Sequence, residues 1–227
     1  MHPFVTSLKE LFDRNANPAQ AGPMAAYMRN QFAYLGIKSP AMQALHKQFY
    51  TEHRLPALDE LDPILRELWA LPEREFQYAA TGLLGKFEKK LPPEFTDTLE
   101  YLIVTKSWWD TVDSIAAGTV AVHFRRYPDV RAETLTRWRA SENFWLWRTC
   151  ILYQLNYKKE TDFPLLCEII RENLGSKEFF INKAIGWALR QYSRVDAQAV
   201  RDFVAQTPLQ PLSAREALRW LEKRGNL

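Results

Sequence analysis

Glycine is scarce in this chain. Its 227 residues include only 8, too few for the tight hairpin turns that sheet proteins use freely. Cysteine is scarcer still. Cys150 and Cys167 are the only two, and they form no CxxC pair. Both sit in apolar helical patterns and read as reduced, buried thiols of an intracellular protein. The four histidines, His2, His46, His53 and His123, lack metal-ligand spacing. No apolar run approaches the ~18 residues of a membrane span. The opening MHPFVTSLKE has no apolar signal region, so a cytoplasmic protein is expected. Dinucleotide and phosphate-binding glycine loops are missing, as is a G-x-S-x-G nucleophile turn. The helix-hairpin-helix signature common among base-excision glycosylases is also absent.

What is present is apolar and aromatic. Hydrophobic residues make up 47% of the chain and aromatics 13%, enough to bury a sizeable core and unlike a disordered composition. The net charge is +3, weak evidence of nucleic-acid binding by itself. Its distribution is uneven. Residues 1–140 hold 17 basic and 17 acidic residues, whereas residues 141–227 hold 13 and 10.

Apolar residues recur at steps of three and four nearly throughout, as in Ile64, Leu65, Leu68 and Leu71, or Ile151, Leu152 and Leu155. Leu91-Pro92-Pro93, Tyr127-Pro128 and Thr207-Pro208 break the pattern. Ser39-Pro40 reads as an N-cap and first-turn proline. Ser141 and Ser176 are further cap candidates, and Ser213 to Glu216 fits a capping box. About a dozen helices with short links are expected, and no strand.

A repeat of about 35 residues organises these helices. PEREFQYAATGLLGKF from Pro72, KSWWDTVDSIAAGTVA from Lys106, SENFWLWRTCILYQL from Ser141 and SKEFFINKAIGWALR from Ser176 align, each opening with a polar turn and aromatics. Stepping by 35 leads from Arg74 to Trp109, Phe144 and Phe179, and from Tyr78 to Asp113, Arg148 and Lys183. Such a period predicts a single all-α domain over residues 1–227, a HEAT-like repeat array (α-solenoid) that coils into a curved shape with a concave binding face.

Equivalent positions of an array form a row along one surface. Asp113, Arg148 and Lys183 share one phase. Trp109 lies one turn before Asp113, and Trp187 one turn after Lys183, so both tryptophans face the same way as the row. Unpaired buried charge is costly, so such a row reads as the lining of a binding face. Plainer readings stand beside this one. Arg148 in phase with Asp113 could form a salt bridge between neighbouring repeats, Lys183 shares that ambiguity, and Trp187 alone would read as core. Adjacent Trp108 and Trp109 diverge by roughly 100° on a helix, and the phase assigns Trp109 to the cleft.

At SWWDTVDSI the chain resembles the AlkD family of bacterial DNA alkylation-repair glycosylases. The stretches MHPFV, NPAQAGPMAAYMRNQFAYLGI, LRELWALPEREFQ, LIVTKSWWDTVDSI and SKEFFINKAIGWALRQY carry the resemblance, which extends to about residue 220. It implies a monomeric HEAT-like enzyme, without metal or organic cofactor, that grips duplex DNA and hydrolyses the N-glycosidic bond of cationic N3- and N7-alkylated purines. It further implies that the strand is left uncut and the damaged base is not drawn into a pocket. Asp113 matches the family's catalytic aspartate, and Trp109 and Trp187 its cleft tryptophans. Arg148 matches a backbone-binding arginine, and Tyr27 and Arg190 other DNA-contacting positions. Lys183, Lys38, Ser39 and Lys47 are assigned to the same DNA-facing set. Asn156 and Met42-Gln43 depart from the pattern where basic residues are expected, which bears on affinity and on bulky lesions.

Two other functions fit some of these residues. A non-catalytic HEAT-repeat scaffold binding DNA or protein is the default for the fold, but has no need of the Trp109, Asp113, Arg148 and Trp187 set. A bifunctional glycosylase-lyase would use Lys183 as an amine nucleophile.

Overall fold

A computed structural model describes residues 1–223 and 225. Contacts divide the chain into two compact units, Met1–Leu91 and Pro92–Leu227, where the sequence reads as one array over residues 1–227. Among the described residues there is no strand, only an isolated bridge between Ala33 and Glu73. The all-helical class expected from the pattern is what the chain forms.

The first unit contains α1 (Pro3–Arg14), α2 (Pro18–Tyr27), α3 (Ser39–Glu52), α4 (Leu61–Ala70) and α5 (Arg74–Phe87). The local causes are visible in α1. Pro3 pre-sets the first turn, and the His2 imidazole accepts the Phe4 N–H at 3.2 Å. Phe4, Val5, Leu8, Leu11 and Phe12 then fall on one buried face. Between α2 and α3 the chain turns at Gly36, whose φ is +89°. A Cβ there would lie 2.0 Å from the Asn17 carbonyl oxygen, so only glycine fits. The buried Glu75 carboxylate holds this turn, accepting the N–H groups of Leu35 (3.1 Å), Gly36 (2.9 Å) and Ile37 (3.1 Å).

The second unit contains α6 (Thr96–Val104), α7 (Trp109–Ile115), α8 (Ala121–Arg126), α9 (Pro128–Arg139), α10 (Phe144–Leu152), α11 (Phe163–Glu172), α12 (Phe179–Tyr192), α13 (Ala197–Gln206) and α14 (Pro211–Glu222). A wide π turn, Ala116–Val120, joins α7 to α8 in one continuous helical run. Pro128 starts α9 straight after α8, and Pro208 follows α13, as the sequence breaks predict. The core runs through Leu102, Val112, Phe124, Trp138, Leu152, Ile170, Ile185 and Leu221. Cys150 and Cys167 are free and buried. Burial pushes their thiols up to about 12 and about 11, which keeps them as unreactive hydrophobes.

The period shows directly in the helix starts. Helices α5, α7, α10 and α12 begin at Arg74, Trp109, Phe144 and Phe179, the positions the 35-residue step names. Four cap expectations need correction. Ser39 is the first residue of α3 and Lys38 holds the N-cap position, with no side-chain cap bond. Asn143, not Ser141, caps α10 by accepting the Trp145 N–H at 2.9 Å. Helix α12 starts at Phe179, three residues after Ser176, with Glu178 at the N-cap position, and Ser176 Oγ instead accepts the Glu178 N–H at 3.2 Å. Ser213 lies inside α14 because Pro211 already occupies its first turn. The Ser213 hydroxyl donates to the Asn182 carbonyl of α12 at 2.9 Å instead of capping its own helix.

Candidate functional site

Three members of the sequence-derived row belong to the second unit, and they are ion-paired. Arg148 of α10 meets Asp113 of α7 fork to fork, with Nε donating to Oδ1 at 2.7 Å and Nη2 to Oδ2 at 2.8 Å. Its Nη1 donates to the Phe180 carbonyl of α12. This carbonyl is close to the exposed start of α12, so one guanidinium ties three successive repeat helices together. The Arg148 side chain is 5% exposed and the Asp113 side chain 14%. Two planar N–H···O bonds fix the carboxylate in direction as well as in place.

Burial raises the Asp113 carboxyl above the ordinary aspartate value, and Asp110 adds to the rise, while Arg148 offsets part of it. The two influences oppose each other, and burial prevails. The result is a carboxylate that is poorly solvated yet precisely aimed, a state associated with reactive sites.

Arg148 of this pair lines an open cavity of about 230 Å³, and Asp113 is reached through it and is not itself among the lining residues. Trp109, Phe179, Phe180 and Trp187 supply aromatic walls. Arg148, Lys183, Arg190 and Glu216 supply charged ones. Trp109 and Trp187 are each half-buried, neither sealed in the core nor fully exposed. Trp108 instead packs against Trp145 and Phe180, with ring centroids 6.0 and 5.1 Å away. Trp108 is half-buried as well, and it precedes α7 in extended backbone, so the helical divergence read for the two indoles does not apply to it.

Lys183 and Arg190, also on this cavity, converge on Glu216 of α14. Lys183 Nζ donates to Oε1 at 2.9 Å, and Arg190 Nη1 donates to Oε2. The sequence reading missed Glu216 as a site residue because Ser213, three positions earlier in the capping-box pattern, accounted for it locally. The available signal was spacing, since Glu216 follows Lys183 by 33 residues, nearly one period. Phe180 was missed too, because a backbone carbonyl leaves no side-chain trace in a sequence.

The other expected contacts belong to the first unit. Tyr27, at the end of α2, is 74% exposed. Lys38 precedes α3, Ser39 begins it, and both are exposed. Lys47 is exposed on the same helix, beside a separate hollow it lines with His46, Tyr50 and Lys86. The departures also gain structural reasons. Met42 is buried in the core and only Gln43 reaches the surface. Asn156 donates to the Ala117 carbonyl at 3.2 Å, serving the π turn with a neutral amide.

Among the described residues, no group of three or more His, Cys, Asp or Glu side chains is placed to hold a metal ion. No helix among them is long and apolar enough to cross a membrane.

Fold and site together define an all-helical repeat protein with a buried, arginine-held carboxylate beside an aromatic cleft. The sequence model described as DNA alkylation repair enzyme matches residues 8–221, and the chain belongs to that family. A solved structure described as a predicted DNA alkylation repair enzyme from Enterococcus faecalis is 33% identical, with a TM-score of 0.85. The match covers 92% of this chain and 97% of that one. No curated protein matches the chain.

Proposed function

We propose that the protein is a monofunctional DNA glycosylase that hydrolyses the N-glycosidic bond of cationic N3- and N7-alkylated purines in duplex DNA. The observation that carries this reading is the Asp113 carboxylate, held by both arms of Arg148 beside a cleft walled by Trp109 and Trp187. Family membership supplies the damage class.

The chemistry asks little of the protein. An alkylated purine already carries positive charge. When the bond from C1′ to the ring nitrogen breaks, its electron pair goes to the base, which leaves neutral. No acid is needed to protonate the leaving group. Positive charge moves instead onto the sugar, and a carboxylate aimed there stabilises it. Water then adds to C1′, and Asp113 accepts its proton as a general base.

The two indole faces favour cationic sugar and cationic base by roughly 0.5–2 kcal/mol per contact. A neutral, undamaged purine lacks the part of this benefit that comes from charge on the base. Arg148 serves as a positioning residue for Asp113, since three of its five N–H groups are engaged by Asp113 and the Phe180 carbonyl and its side chain is buried. This reading assigns it positioning in place of the phosphate contact expected from sequence. Lys183 and Arg190, together with Tyr27, Lys38, Ser39 and Lys47 of the first unit, are the proposed contacts to the DNA backbone, which fix position without reading sequence.

The test is direct. Purified protein is incubated with a duplex carrying one 7-methylguanine. Release of the free base with an uncut, alkali-labile strand is the expected outcome. Tight binding of the duplex with no base released would leave a non-catalytic scaffold as the better description.

A further inference from the structure

Glu216 has no role in the chemistry above, yet it occupies the cleft. It is 7% exposed. A carboxylate so deeply buried needs strong partners. It has them in Lys183, Arg190 and, at 3.7 Å, Arg219. Hydrogen bonding from Lys183, reinforced by Arg190, holds its carboxyl below the usual glutamate value.

The fold goes to some length to bring this carboxylate in. Helix α14 approaches α12 at Gly186, where a Cβ would lie 2.5 Å from Glu216 Cβ and 2.9 Å from the Ser213 carbonyl oxygen. Any other residue at that point would push α14 away. The Ser213 hydroxyl fixes the register of the two helices by donating to the Asn182 carbonyl. Gly186 and Ser213 thus seat Glu216 between two cations that lie two turns apart on α12.

Exposure is graded outward. The Glu216 side chain is 9% exposed, Arg190 24% and Lys183 38%. The anion is inside and the cations reach the surface. One negative charge faces three positive ones, so the cluster keeps a surplus of positive charge directed at the cleft mouth.

We propose that Glu216 is a positioning residue which holds Lys183 and Arg190 in the geometry that receives consecutive phosphates of a DNA strand. This rests on the reading of the cleft as a DNA-binding surface. Long cationic side chains lose conformational freedom when they bind. An internal anion that orders them beforehand lowers that cost, as preorganisation does generally.

Two effects of removing Glu216 have opposite signs. Simple electrostatics predicts that deleting a negative charge near DNA tightens binding. Loss of positioning predicts the reverse. The experiment measures the affinity of a plain, unmodified duplex as a function of salt, for the wild type and for E216Q. Positioning predicts weaker binding and a log–log salt slope shallower by about one unit, corresponding to roughly one lost phosphate contact. An unchanged or steeper slope overturns the proposal. In a K183M/R190M background, E216Q should have no further effect, because it acts through those two cations; an undiminished effect there also overturns it. If E216Q does not fold, E216D carries the test. It keeps the charge but draws it back by one methylene, and a wild-type slope in E216D again overturns the proposal. Because an undamaged duplex is the probe, the result is independent of base release. Failure of the glycosylase reading would appear only in the excision assay.

Discussion

Asp113 and Arg148 stand one repeat apart in sequence and share two parallel hydrogen bonds of 2.7 and 2.8 Å. The pair turns a repeat period into a reactive geometry, because an equivalent position on the next helix supplies the counter-charge. Removing one partner leaves the other buried and uncompensated.

For Asp113→Asn, single-turnover excision of 7-methylguanine is expected to fall by roughly 100- to 1,000-fold, the range lost with a single preorganised electrostatic group. Affinity for the same duplex should stay within a few-fold. Parallel losses of affinity and rate would mark Asp113 as structural.

Arg148→Met strands a buried carboxylate and is expected to cost about 3–5 kcal/mol of stability. Urea denaturation reads this loss. The salt slope of DNA binding should stay at the wild-type value, because the buried guanidinium is committed to Asp113 and Phe180. A shallower slope would return Arg148 to the phosphate contacts.

The Asp113 and Glu216 carboxyls titrate in opposite senses. Asp113 is raised by burial and Glu216 is lowered chiefly by Lys183. Catalysis uses ionised Asp113, so excision should fall as pH drops through its raised value, at a higher pH than for an ordinary aspartate. Stability follows linkage. The Asp113 contribution is largest below its unfolded value and declines as pH rises through the folded one. The Glu216 contribution is present above its unfolded value and declines as pH falls through its folded one. Urea titrations across the acidic range should therefore show the wild type losing ground to D113N as pH rises, and losing ground to E216Q as pH falls. Slopes of the same sign would refute the pairing described here.

Trp109→Ala and Trp187→Ala should each slow excision of a cationic lesion by about 2- to 30-fold, the equivalent of one cation–π contact. The effect on a neutral damaged base such as hypoxanthine should be smaller, and comparing the two substrates checks the charge dependence. Borohydride treatment during turnover should trap no covalent adduct, whereas an adduct lost in Lys183→Met would establish lyase chemistry.

The parts of this architecture that depend on local rules were legible in the sequence. The prolines at 128 and 208 separate helices as they must, and the 35-residue step reaches the first residues of α5, α7, α10 and α12. Trp109 and Trp187 were legible because a common phase places side chains on a common surface. Glu216 was not, because a capping-box pattern explained it locally while Pro211 had already set the start of α14. Arg148 was half legible. Its phase pointed to the right row, but a sequence does not distinguish a cation facing a phosphate from one facing a carboxylate.

The π turn at Ala116–Val120 has its own consequence. A π turn accommodates one residue more than the α-helix around it. Two carbonyls here accept from outside the helix, Ala117 of the turn from Asn156 and Ala121, the first residue of α8, from the Tyr157 hydroxyl at 2.6 Å. Asn156 and Tyr157, in the segment after α10, thus act as a splint across the irregular turn that begins three residues beyond Asp113.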